Sequence, residues 1–240
     1  RGIAEQSGAE KKIVARLDHL DALGNTAKSV TKGFAIGAAG LTILALLAAY
    51  AETAHLTSLD LRKPGTLACV LLGTLMPPIF SALLILSVSR SAQLVIEEVR
   101  RQFREIPGLL LGKTKPDYHR CVDIVSKNAL KELLLPGLMA IFAPIFVGLI
   151  LGKNALGGFL VGSISIGLVF AFFMANAGAM WDNAKKLIEE GRYGGPGSEA
   201  HRAAVIGDTI GDPFKDTAGP SINTLLAVMA LISILIVAFL

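Results

Sequence analysis

Apolar residues dominate five stretches of the chain, at about 33–51, 66–89, 133–151, 155–180 and 218–240, with polar and charged segments between them. Each is near the ~20 residues an α-helix needs to cross a bilayer. The pattern predicts an all-α fold, a polytopic transmembrane bundle of about five spanning helices. Residues 9–32 extend the first stretch as a polar helix, in which Asp18, Asp21, Asn25, Lys28 and Lys32 recur at three- and four-residue steps and can share a face. Small residues cluster in the first span (Gly33, Gly37, Gly40) and the fourth (Gly157, Gly158, Gly162, Ser163, Gly167), which predicts close helix packing. Pro77-Pro78 predicts a kink in the second span, with carbonyls left for neighbours to satisfy, and Pro136, Gly137 and Pro144 predict a broken third span.

Composition agrees with this pattern. The chain is 52% hydrophobic and 18% charged, with a mean hydropathy of +0.59, too apolar for a water-soluble domain of its length. We read residues 1–240 as a single membrane domain, and as a piece of a longer protein. Lysine and arginine are concentrated in 1–32, 90–132 and 181–217, against only Arg62, Lys63 and Lys153 on the other side. The positive-inside rule makes the richer segments cytoplasmic and places the C-terminus on the outer or lumenal side. The formal charge of +4 is thus a topology signal. No basic and aromatic face argues for nucleic acid. Two cysteines, Cys69 in a span and Cys121 in a polar segment, suggest no disulfide framework.

The candidate chemistry lies where the last two spans meet the basic side. In Gly207 to Pro220, Asp208, Asp212 and Asp216 recur every four residues, which on a helix puts them on one face with Lys215 beside the last. Three like charges on a face repel unless a cation neutralises them, and oxygen-only ligands suit a hard divalent ion. Trp181-Asp182-Asn183-Ala184-Lys185-Lys186 brings a fourth carboxylate and two more lysines, with Trp181 at the expected membrane edge. Carboxylates for a metal and lysines for oxyanions together fit a magnesium–phosphate ligand. Gly108 to Thr114 is no phosphate loop, because only three residues separate its glycines and no strand precedes it. His201 has no second histidine at ligand spacing.

At these residues the chain resembles the membrane-integral, ion-pumping pyrophosphatases. The matching blocks are Gly2-Ile3-Ala4-Glu5, Asp18 through Gly37, Lys115-Pro116-Asp117-Tyr118, Trp181 through Lys186, and Gly207 through Asn223. The resemblance implies the last five helices of a sixteen-helix homodimer. It implies that Asp182, Asp208, Asp212 and Asp216 are catalytic, binding magnesium pyrophosphate or positioning the attacking water, with Asp182, Asp208 and Asp212 as metal ligands. Lys185, Lys186, Lys215 and Asn25 would bind substrate. Lys28 and Thr31 are similar to the pair in the potassium-independent, proton-pumping branch, so Mg2+ is the expected cofactor and K+ is not required. Expected partners are pyrophosphate, H+ rather than Na+, membrane lipid, the upstream remainder of the chain and a second copy.

The expected setting is a multi-pass protein of a prokaryotic plasma membrane, with hydrolysis on the cytoplasmic side and H+ pumped outward. The family's acidic motifs on the fifth and sixth helices are missing, so the isolated piece should be inactive. Where many members carry a lysine in the last span, this chain has Ala227. The alternative is a non-hydrolytic cation transporter or channel module with an Asp-lined helix mouth. That reading leaves Lys185, Lys186 and Lys215 unexplained, because lysines repel a permeant cation.

Overall fold

A computed structural model describes residue 8 and residues 10–240. The Gly2 to Glu5 block and the side chains of Asp18, Asp21 and Asn25 lie outside the described residues. The described chain is mostly helical, with no strand among these residues. In order it forms α1 (Lys11–Thr53), α2 (Pro64–Glu105), α3 (Tyr118–Glu132), α4 (Leu134–Glu189), a 3-10 turn (Arg192–Gly194), α5 (Glu199–Pro213), a π-helical turn (Phe214–Ala218) and α6 (Gly219–Val237). Among the described residues, four helical segments are long and apolar enough to cross a membrane: Thr26–Thr53, Pro64–Glu105, Tyr118–Glu189 and Glu199–Val237.

The third and fourth predicted stretches both fall within α4, which is folded on itself. As one straight rod its 56 residues would reach about 84 Å, far beyond a bilayer. Gly152 interrupts it at φ 80° and ψ 176°, a region open essentially to glycine alone. The packing shows the reversal. Along the first arm (134–151), Pro136 and Ala140 share a pocket with Ser221 and Leu225, and Gly148 faces Ile236 and Leu240, so this arm runs parallel to α6. Along the second (153–189), Gly178 meets Lys215, Met174 meets Gly219 and Gly167 meets Leu226, so it runs antiparallel. At the turn, the Tyr50 hydroxyl donates to the Lys153 carbonyl at 2.7 Å and ties α1 to the hairpin.

The predicted break in the third span at Pro136, Gly137 and Pro144 is therefore corrected. Helix continues through all three, and the chain turns at Gly152. Helix also continues through Pro77 and Pro78. Pro77 has no N–H for the Gly73 carbonyl, and the Ser163 hydroxyl, 3.0 Å from that carbonyl and 2.8 Å from Phe159 O, stands in for it. The same crossing explains the small residues. A Cβ on Gly73 would lie 2.0 Å from Phe159 O, and one on Gly162 2.0 Å from Val70 O, so α2 and the second arm of α4 touch backbone to backbone.

The core joins Ile36, Ile43 and Tyr50 of α1, Phe80 and Leu84 of α2, Leu156, Leu160 and Ile164 of α4, and Ile222, Leu225, Leu226 and Met229 of α6. Beyond it, the far end of α2 pairs with α3 through polar contacts. The Gln102 amide bonds both the N–H and the carbonyl of Asp117, at 2.8 and 2.9 Å, while Glu98, 4% exposed, receives Arg101 and Arg120.

Candidate functional site

Two glycines build the site. Gly178 of α4 and Gly211 of α5 cross so closely that a Cβ on Gly178 would sit 2.4 Å from Gly211 O and 2.8 Å from Lys215 Cβ. Helical spacing does the rest. Asp182 is one turn beyond Gly178 and Lys185 nearly another, while Asp208 and Asp212 flank Gly211 and Lys215 is one turn past it. Trp181 covers one side of the crossing by packing on Phe214, with ring centroids 5.9 Å apart. Its observed role is therefore tertiary. Behind α5, Ser198 caps the helix by accepting from His201 N–H, and His201 Nδ1 accepts from Gly197 N–H while Nε2 lies 3.4 Å from Glu189. His201 fastens the glycine-rich link and contributes nothing to the carboxylate cluster.

Carboxylate oxygens of Asp182, Asp208 and Asp212 all lie within 4.8 Å of one another. Lysines thread between them. Lys215 Nζ is 2.6 Å from Asp182, 2.8 Å from Asp212 and 4.0 Å from Asp208; Lys185 pairs with Asp208, and Lys186 lies 3.8 Å from Asp182. Burial alone would favour the neutral form of Asp182, but the hydrogen bond and charge of Lys215, with Lys186 and Lys185, outweigh it and hold the carboxyl below its usual range. Burial opposes the charge of Lys215 too, and Asp182 and Asp212 overcome it, raising that ammonium well above an ordinary lysine. Lys185 is raised chiefly by its bond to Asp208. One buried oxygen, Asp208 Oδ1, has no hydrogen-bond partner.

The expectation that Asp208, Asp212 and Asp216 share one face holds only for the first two. Pro213 ends the regular helix and the next five residues wind as a π turn, whose larger number of residues per turn takes Asp216 out of the row. Asp216 is instead half exposed and pairs with Lys32 of α1, whose ammonium also donates to Lys215 O at 3.1 Å. Lys32 is the site residue that sequence reasoning left unassigned. Its signal was the four-residue step from Lys28 on the same face. Lys28 is exposed, and Thr31 donates to Ala27 O within α1; neither is drawn into the cluster.

Fold and site together define an integral membrane protein with a carboxylate–lysine centre at the end of its helix bundle. A family model described as inorganic H+ pyrophosphatase matches residues 1–236, and the chain belongs to that family. It is 51% identical, over 98% of its length, to a K(+)-insensitive pyrophosphate-energized proton pump of Methanosarcina mazei, of which it covers 35%. A pump of the same description from Streptomyces coelicolor is 50% identical over 98% of the chain, which covers 32% of that protein. A putative K(+)-stimulated pyrophosphate-energized sodium pump of Clostridium tetani is 50% identical over 97% of the chain, which covers 35% of it. The chain thus spans about a third of the length of these curated relatives, and overall identity does not separate the two ion types.

Proposed function

We propose that the complete protein hydrolyses magnesium pyrophosphate to two phosphates on the cytoplasmic side of a membrane and couples this to outward pumping of H+. The observation that carries this reading is the interleaving of three clustered carboxylates with lysines at ion-pair distance. Asp182, Asp208 and Asp212 would hold Mg2+, and the donor set fits: three carboxylates, hard oxygens only, one of them a buried and unbonded Asp208 Oδ1. Bound there, the metal would neutralise pyrophosphate charge and stabilise the leaving phosphate. Lys185, Lys186, Lys215 and Asn25 would bind phosphate oxygens. Asp216, set apart on the π turn and paired with Lys32, would orient the attacking water with the other carboxylates.

The channel reading loses its ground at Lys215, which sits between the carboxylates that a permeant cation would have to use. The distribution of lysine and arginine supports a cytoplasmic site. Lys28 and Thr31 support independence from K+, which the names of the M. mazei and S. coelicolor relatives also favour. Exposed apolar side chains such as Phe34, Leu41, Leu71 and Ile150 suit contact with lipid, upstream helices of the same chain or a second copy in a homodimer. A prokaryotic plasma membrane accords with the prokaryotic sources of these relatives. Residues 1–240 alone are expected to be inactive, because they carry one wall of the substrate site.

The test is pyrophosphate-driven acidification of membrane vesicles containing the complete protein, with and without K+. Acidification that needs Mg2+ and ignores K+ supports the reading, and hydrolysis that moves no H+ overturns the pumping half.

A further inference from the structure

The lysines assigned to phosphate pair directly with the carboxylates assigned to the metal. Lys215 bridges Asp182 and Asp212 at 2.6 and 2.8 Å, and Lys185 holds Asp208. Both ammonium groups are largely covered, with 14% and 23% of their side chains exposed. A divalent ion that takes those same oxygens competes with the lysines, because one lone pair cannot hold both a short lysine bond and a metal. Asp208 Oδ1, buried and without a hydrogen-bond partner, is an oxygen of the triad that no lysine yet bonds, with Lys215 Nζ 4.0 Å away.

From this we infer a built-in exchange. Lys215 and Lys185 are internal counter-ions that the metal expels, and only once expelled can they turn to an oxyanion. The inference rests on the proposed magnesium site and adds an order of events: metal loading comes first and makes the lysines available, so metal-free pyrophosphate meets a site whose cations are already committed. Competition is reciprocal by linkage, so removing a competing lysine must tighten metal binding even where it weakens substrate binding. Asp216 and Lys32 provide an internal control, because their pair lies outside the triad.

The experiment uses the complete protein in detergent, without pyrophosphate, and measures Mg2+ binding by calorimetry in the wild type, Lys215→Met, Lys185→Met and Lys32→Met. Lys215→Met and Lys185→Met are expected to bind Mg2+ about tenfold more tightly, the scale of one charged hydrogen bond removed from competition. Lys32→Met should change binding less than either. In the wild-type protein, amine labelling of Lys215 and Lys185, read by mass spectrometry, should rise as Mg2+ saturates. Unchanged or weaker Mg2+ binding in the variants, or labelling that stays level or falls, overturns the exchange. Should a variant not fold, the wild-type labelling decides alone. Hydrolysis is assayed separately: a protein that shows the exchange but splits no pyrophosphate defeats the proposed function and leaves the exchange standing.

Discussion

Lys215 donates a 2.6 Å hydrogen bond to Asp182 across the crossing of α5 and α4, joining residues 33 positions apart in the chain. The contact depends on the π turn that carries Lys215 toward α4 and on the glycine pair that lets the helices meet. Asp182 is the carboxylate that Lys215 and Lys186 share. Replacing it by Asn keeps the shape and removes the charge. For Asp182→Asn in the complete protein, phosphate release should fall about a hundredfold or more, the usual scale for losing one charged group at a phosphoryl-transfer centre. Steady-state hydrolysis, with circular dichroism as the folding control, measures it.

Gly178→Ala tests the crossing itself. The added methyl would lie 2.4 Å from Gly211 O and 2.8 Å from Lys215 Cβ, too close for either to remain in place. Because the obstruction is mostly backbone, rotamer changes cannot relieve it. A loss of about 1–3 kcal/mol or more is expected, with activity falling as Lys215 is pushed from Asp182. At Gly207 the nearest atoms to a Cβ are 3.7 Å away on Trp181, ordinary contact, so Gly207→Ala should leave the unfolding temperature unchanged or raise it through better helix propensity. Thermal unfolding of the two variants side by side is the measurement.

The helices and the shared face of Asp208 and Asp212 were legible because both rest on local periodicity. Apolar runs of bilayer length mark the spans, and the four-residue step from Asp208 to Asp212 survives on a regular helix. What escaped was where regularity ends. Proline looked like the breaker of the third span, yet Pro136 and Pro144 sit inside α4, and Gly152, one apolar-stretch glycine among many, makes the turn. Only its positive φ distinguishes it, and that follows from tertiary packing. Asp216 was misplaced for the same reason. A π turn has no composition signal, so a strict four-residue step carried past Pro213 gave the wrong face. Lys32 was visible as a charge but acquires its place only when α1 packs beside the π turn.

The α2–α3 pair should loosen in acid. Arg101, then Gln102 and Arg120, hold the Glu98 carboxyl down at about 2, against an ordinary value of 4.5. A depressed folded-state pKa means the stabilisation is fully present above about 4.5 and is lost as pH falls toward about 2. Pepsin cleavage within 106–117 should therefore accelerate as pH drops through that window. Glu98→Gln removes the titrating group, so its cleavage should be fast throughout and show little of that pH dependence.

Lys28 carries the last prediction. It lies one helical turn before Lys32, so both ammonium groups project from the same side of α1, and Lys32 already reaches Asp216 and Lys215 O at the site. If the proposed role holds, an ammonium tethered at that position would supply the charge that a bound K+ would otherwise bring. Shortening it to alanine leaves the helix intact, because alanine is the best helix former, and empties the charge. Hydrolysis by the Lys28→Ala protein should fall about tenfold or more in sodium salts and recover in part when K+ replaces Na+, while the wild type responds equally to both. Rates in matched KCl and NaCl series decide it. Equal loss in both salts would make Lys28 a structural or substrate contact, and an unchanged rate would remove it from the site.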